Sequence, residues 1–373
     1  MLGSCLHNHL VASQTQIDNF WTITPMISSA AEITEDWLGA VLQAQIAHVT
    51  ARENPAFNSL VTHLDITYSN DVNLPHQLLV KLNKEHDGQN EIQFYRFAES
   101  MNLPMIPRHL GMSYDLQSGL SYLILEDISE THRAPVTREQ LQMLRGVPTN
   151  EHMESIVDCI AQFHAAFWEH PQFGTIPGTT EMRWWYRDEE FHTEHVERRK
   201  AEWAKFVDMY KDEVPQEWLT LGEFALEMLP KLFKNYIRPR LSSKLSLTMS
   251  HGDCYLPQFL VPKVRSERSY LIDFQDTCVN FPAYDLVYMF ATFWTREQRT
   301  SHEVSLLRRY QSELNLRGLQ YDWGMLQDDY RLSLSYMLFD AVWNATSGSS
   351  REYWKPKMNC LIDAYQDWKC ADM

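Results

Sequence analysis

The chain has 373 residues, 44% of them hydrophobic and 22% charged, and its 49 acidic against 33 basic side chains leave a formal net charge of −16. That composition excludes a disordered polymer, and the length allows one large domain or two modest ones around a real core. A surface this acidic disfavours nucleic acid and anionic membranes as partners while tolerating a cationic small molecule.

Residues 1–30 are polar and weakly patterned and read as an arm, without the basic region and apolar stretch of a secretory signal. A helix is predicted next: Thr34 caps it, Glu35 and Asp36 suit its positive end, and Trp37, Leu38, Val41, Leu42, Ile46 and Val49 form one apolar face. From Asn58 to Leu82 the pattern becomes β-rich, with LVTHLDITYS and HQLLVKL reading as a hairpin around a turn. Asp87-Gly88 opens a helix that Asn102 and Pro104 stop, and GLSYLILEDIS reads as a further strand and connector. Beyond residue 129 the chain turns helical, most clearly through Ile156, Ile160, Phe163, Ala166 and Phe167, and again near 216–235, 302–315, 324–345 and 354–368. One β interlude interrupts the helices at 245–275. The expectation is an α+β protein with a β-rich unit over 31–128 and a larger, mainly helical unit over 129–373.

No run approaches the ~18 apolar residues of a membrane span. The six cysteines, Cys5, Cys159, Cys254, Cys278, Cys360 and Cys370, are scattered without a CxxC pair, which suits reduced thiols in a cytoplasmic protein.

The stretch richest in chemistry is His251-Gly252-Asp253 at the end of an apolar run, followed by Gln258, a strand from Phe259, a polar turn, and a second strand ending at Asp273. Pairing 259–261 with 270–272 folds the intervening residues back and brings two carboxylates, 20 positions apart, to one end of a ribbon. Phosphoryl transfer needs such a pair: one carboxylate to accept the proton of the attacking hydroxyl, here Asp253, and one to hold Mg²⁺, here Asp273. The Gln258 amide oxygen can join the metal's ligands, because Mg²⁺ accepts neutral oxygens.

His251-Gly-Asp253-Cys-Tyr-Leu-Pro-Gln258 followed by Leu271-Ile-Asp273-Phe-Gln275 resembles the aminoglycoside phosphotransferase and choline kinase superfamily. Glu91-Ile-Gln-Phe-Tyr95-Arg96, Ile124-Leu-Glu126-Asp127 and Phe163-His164-Ala-Ala-Phe167-Trp168, in that order, narrow the resemblance to its ecdysteroid-kinase-like branch, over about 45 to 345. The resemblance implies a bilobal protein-kinase-like fold, ATP and Mg²⁺ as cofactors, and a small-molecule hydroxyl as acceptor. It further implies that Lys81 contacts phosphate, that Glu91 positions Lys81, and that Leu125, Glu126, Asp127 and Ile128 form the adenine hinge. The phosphate loop falls near 53–60, where Asn58 and Ser59 are the candidate contacts, in a stretch without glycine. Gln258 stands where the motif has a metal-binding Asn, a departure that maltokinase-like relatives share.

Other polar residues read as structure. His251 supports the catalytic loop, His164 sits on an apolar helix face as a core histidine, and Asp285 is a buried structural carboxylate. His192-Thr-Glu-His195 lacks the HExxH spacing and reads as part of a solvated helix, and Cys254 reads as a small packing residue. Trp184-Trp185-Tyr186 is poised between pocket lining and packing. A sensor that keeps the fold without turnover is the alternative to a kinase, motivated by Gln258 and the glycine-free loop.

Overall fold

In the computed structural model, which describes residues 25–55, 60–83, 88–101, 103–142, 144, 149–173, 175–176, 188–264 and 267–373, Thr34 opens the first helix, α1 (Glu35–Leu42). Its hydroxyl accepts the Trp37 N–H at 3.2 Å. The helix expected to run through Val49 stops at Leu42, and Ile46 and Val49 instead lie in β1 (Ile46–Pro55). Gln43 adopts a left-handed conformation (φ 52°) and the Ala44 N–H closes on the Gly39 carbonyl, where any Cβ on residue 39 would lie 2.8 Å from the Ala44 oxygen. The β-branched residues beyond that stop then pair across to β2 (Leu60–Tyr68).

β3 (Gln77–Asn83) follows, then α2 (Gly88–Ala98), β4 (His109–Tyr114) and β5 (Ser121–Glu126), giving an antiparallel sheet of order β1-β2-β3-β5-β4. Strand alternation decides what each face holds. Leu78, Val80 and Leu82 of β3 and Tyr122 and Ile124 of β5 are buried toward α1, where Trp37 meets Tyr122 edge-to-face at 5.1 Å. Lys81, opposite Leu123 in the register, therefore projects from the other face, toward α2. β4 had no counterpart in the sequence reading.

The chain then forms β6 (His132–Arg133), α3 (Arg138–Gln142), α4 (Asn150–Ala166), α5 (Glu189–Tyr210), α6 (Gln216–Leu232) and α7 (Arg238–Ser243). β7 (Thr248–Ser250), β8 (Phe259–Pro262), β9 (Tyr270–Leu271) and β10 (Cys278–Asn280) make the β interlude, and α8 (Ala283–Phe293), α9 (Arg296–Leu316), α10 (Trp323–Thr346) and α11 (Arg351–Asp367) complete the fold. α8 is buried along nearly its whole length, and the larger core gathers around it and α4 and α10. The result is an α+β, two-lobed molecule with a small β-rich N-lobe and a larger helical C-lobe. Among the described residues, no helix is long and apolar enough to cross a membrane.

Candidate active site

β7 delivers His251, Gly252 and Asp253 to the junction of the lobes. The turn depends on Gly252, whose φ is +85° and at which a Cβ would collide with the Asp276 carbonyl oxygen. Asp285, fully buried at the start of α8, accepts the His251 and Gly252 N–H groups at 2.7 and 3.1 Å and pairs with His164 Nε2 at 3.0 Å. His164 Nδ1 lies 2.6 Å from the Tyr310 hydroxyl, so this buried polar chain is closed through three helices. The His251 ring donates from Nε2 to the Ile272 carbonyl at 2.8 Å, tying the loop to the segment that leads from β9 to Asp273.

β8 and β9 pair Phe259 with Leu271 and Leu260 with Tyr270, as the sequence pattern requires. Asp253 and Asp273 are thereby brought together. The Gln258 amide donates from Nε2 to Asp253 Oδ2 at 3.0 Å and to Asp273 Oδ2 at 3.1 Å. Asp273 itself sits at φ 69°, a left-handed conformation uncommon for a residue with a side chain. Its other oxygen, Oδ1, accepts from Lys81 Nζ at 2.5 Å, and Lys81 Nζ stands 2.8 Å from Glu91 Oε2. One continuous polar chain thus runs Glu91–Lys81–Asp273–Gln258–Asp253 across the two lobes.

The environment sorts the protonation states. Burial would strip the Lys81 proton, but the Glu91 and Asp273 charges outweigh it and hold the ammonium charged. Burial raises Asp273 as well, yet the Lys81 charge and hydrogen bond prevail and keep its carboxyl below the usual range. Asp253 differs: burial wins there and pushes its carboxyl up, against the lowering effects of His251, a Tyr288 hydrogen bond and Gln258. Two neighbouring carboxylates therefore take different roles, one a firm anion and one a better proton acceptor.

α2 is locked onto the same segment. The Phe274 N–H bonds the Glu91 carboxylate, and the Asn90 amide reaches the Gln275 carbonyl at 3.4 Å. At the connector, Leu125 is buried, the Glu126 and Asp127 N–H groups donate to Arg108 and Gln77 carbonyls, and the Ile128 N–H has no partner among the described residues. The Asp127 carboxylate accepts from Ser129 N–H at 2.8 Å and meets His63 Nδ1 at 2.6 Å, so its side chain shapes the connector. Asn58, Ser59 and the Trp184-Trp185-Tyr186 stretch lie outside the described residues.

The solvated-helix reading of His192 and His195 is corrected. Both are buried, His192 against the Tyr336 hydroxyl at 2.7 Å and stacked on Phe233, and burial pushes their imidazoles down to about 4 and about 2. α10 and the segment after α6 cover this face of α5, and only tertiary packing decides that. Sequence reasoning also missed Tyr288, whose hydroxyl bonds Asp253; its place one turn after Asp285 on α8 was the available signal. Among the described residues no three His, Cys, Asp or Glu side chains converge as a ready metal cage.

Comparison with known proteins adds to this geometry. The family model described as "Ecdysteroid kinase-like family" matches residues 84–321. Among solved structures, the chain is similar to a Ralstonia eutropha protein assigned as an aminoglycoside phosphotransferase, at 12% identity over 91% of this chain and 97% of that one, with a TM-score of 0.57. It is also similar to choline kinase from Cryptosporidium parvum, at 13% identity over 91% of each chain and a TM-score of 0.52. A third likeness is to an aminoglycoside 2'-phosphotransferase in its GDP complex, at 13% identity over 87% of this chain and 92% of that one, TM-score 0.52. At such identities the likeness shows the fold, which is protein-kinase-like. A search of curated proteins finds no match.

Proposed function

Because this chain belongs to the ecdysteroid kinase-like family, we propose that it transfers the γ-phosphoryl group of ATP, bound with Mg²⁺, to a hydroxyl of a small-molecule acceptor. The observation that carries this reading is the single polar chain from Glu91 through Lys81, Asp273 and Gln258 to Asp253. A metal fits here: two carboxylates face a shared amide that currently donates to both, and Gln258 can turn its oxygen inward when a cation takes the place of its NH₂. Mg²⁺ bound at Asp273 and Gln258 would neutralise phosphate charge. One carboxylate and an amide leave its remaining positions to water and phosphate oxygens, the usual habit of this ion.

Asp253 accepts the acceptor hydroxyl proton as its oxygen bonds to phosphorus and the bond to the leaving ADP oxygen breaks. Burial, by raising the Asp253 carboxyl, makes it a stronger base. Lys81, held charged between Glu91 and Asp273, supplies the positive charge that phosphates need in a molecule of net charge −16. His251 and Asp285 position the loop without touching the reacting atoms. In this reading the adenine lies against Leu125, Glu126, Asp127 and Ile128, where the Ile128 N–H has no partner among the described residues, and Asn58 and Ser59 contact the phosphates.

A sensor without turnover is the second reading, favoured by the way Gln258 and Lys81 already satisfy both carboxylates. The deciding experiment measures ATP consumption across a library of alcohols, with Asp253→Asn as the blank, beside nucleotide-induced thermal shifts with and without Mg²⁺. Turnover that an alcohol stimulates and that Asp253→Asn abolishes supports the kinase. A shift indifferent to Mg²⁺, with no turnover, supports the sensor.

A further inference from the structure

Beside Asp253 the C-lobe builds an aromatic box that already has an occupant. Tyr255, two residues beyond Asp253, stacks on Phe293 with 5.4 Å between centroids and 24° between planes. Tyr288, which bonds Asp253, stands edge-on to Tyr255 and Phe293 at 6.3 and 5.5 Å. From α11, Lys357 brings its ammonium to 4.6 Å from the centre of the Phe293 ring and 3.8 Å from that of Tyr353. Lys357 is only 6% exposed, and its ammonium makes no hydrogen bond or ion pair with any described residue. Asp253 and Asp340 act on it through their charges alone. Burial pulls it down to about 8, which leaves it largely charged at neutral pH.

Aromatic faces backed by carboxylates are a general chemical solution for holding an ammonium ligand. Here a tethered ammonium takes that place. A second cation entering the box meets the first at short range in a poorly screened site. An anion gains Lys357 but faces Asp253 and Asp340. A neutral oxygen suffers neither penalty and can accept an N–H from the Lys357 ammonium.

We propose that Lys357 is a specificity residue: by filling the aromatic box beside Asp253 it excludes acceptors bearing an ammonium group and selects neutral alcohols, to whose oxygens it donates. The inference rests on the proposed phosphotransfer only in placing the acceptor hydroxyl against Asp253.

The probe is tetramethylammonium, titrated against the full chain without nucleotide at constant ionic strength and followed by saturation-transfer NMR on its methyl protons. Wild type and Lys357→Arg are expected to show no transfer, and Lys357→Met to bind at least tenfold more tightly than wild type. Thermal unfolding checks that each variant is folded, and Lys357→Gln replaces a Met variant that is not. Wild type binding as tightly as Lys357→Met overturns the proposal, as does a folded Lys357→Met that binds none. The wild-type titration can overturn it alone. No step of this readout needs phosphate transfer, so a chain that never consumes ATP sinks the kinase reading while the tetramethylammonium result still stands or falls separately.

Discussion

The Phe274 ring lies flat on Phe94, 4.0 Å between centroids and 13° between planes, so the residue after the proposed metal ligand is packed on the helix that carries Glu91. Glu91 sits one turn before Phe94, and the Phe274 N–H bonds its carboxylate. This stack and hydrogen bond join the Asn90–Gln275 bond and the Lys81 bridge in tying the position of α2 to that of Asp273. Phe94→Ala should cost roughly 3–5 kcal/mol in urea denaturation, as expected for a buried Phe in a tight core. It should also weaken the Mg²⁺-dependent thermal shift by ATP more than Leu307→Ala, an equally buried change in α9. Equal nucleotide responses in the two variants would show that the ring stack holds the core but not the site.

Two glycines of similar backbone separate steric need from backbone strain. Gly252 and Gly318 have φ of +85° and +82°, but a Cβ at Gly252 collides with the Asp276 carbonyl, whereas at Gly318 it meets nothing within 4 Å. Gly318→Ala should cost about 1 kcal/mol from the left-handed conformation alone. Gly252→Ala must displace the Asp276 backbone as well and should lose several times that, with turnover abolished. Similar stability losses in the pair, read by chemical denaturation, would mean the turn at Gly252 has room that its geometry denies.

Much of this site was legible because its geometry is local. A polar turn between two short apolar strands forces Asp253 and Asp273 to one end, and strand alternation aims Lys81 away from Val80 and the α1 core. What failed depended on distant packing. Ile46 and Val49 continue a helical period, yet the chain breaks at Gln43 and they pair with β2. His192, Val196, Arg199, Trp203 and Phe206 fall on one helical stripe, but charged neighbours hide it, and only α10 reveals that the stripe is buried. Lys357 follows a proline in a polar helix and gives no hint of its aromatic surroundings.

Asp285 reaches no proposed reactant, yet its two oxygens take the N–H groups of His251 and Gly252 and His164 besides. Asp285→Ala leaves those donors buried and unpaired and should destabilise the protein by about 3–5 kcal/mol. Asp285→Asn keeps the shape but offers one acceptor oxygen in place of two. It should lower kcat while leaving the KM for ATP nearly unchanged, since Lys81 and Asp273 are held by other contacts. A KM effect with kcat intact would place Asp285 in nucleotide binding instead of loop positioning.

The pH dependence should follow Asp253. Because burial raises its carboxyl above the ordinary aspartate value of 3.8, the ionised base is lost, and kcat/KM falls, at a higher pH than a solvated aspartate would give. The Tyr288 hydroxyl donates to the ionised form and so opposes that rise. Tyr288→Phe removes the donor without emptying the space, and the acid limb of its profile should move to higher pH. The same shift has a stability consequence of opposite sense to activity. A carboxyl whose pKa is higher in the folded state binds its proton more tightly there, so folding loses its benefit as pH rises through that value. At neutral pH the buried Asp253 charge is then a net cost, and Asp253→Asn should unfold at a higher temperature than wild type while losing at least ~10²-fold in turnover. Differential scanning calorimetry at pH 7 checks the first half and steady-state kinetics the second. An Asn variant less stable than wild type would mean that the His251, Tyr288 and Gln258 interactions outweigh the burial of the charge, contrary to the direction assigned to Asp253.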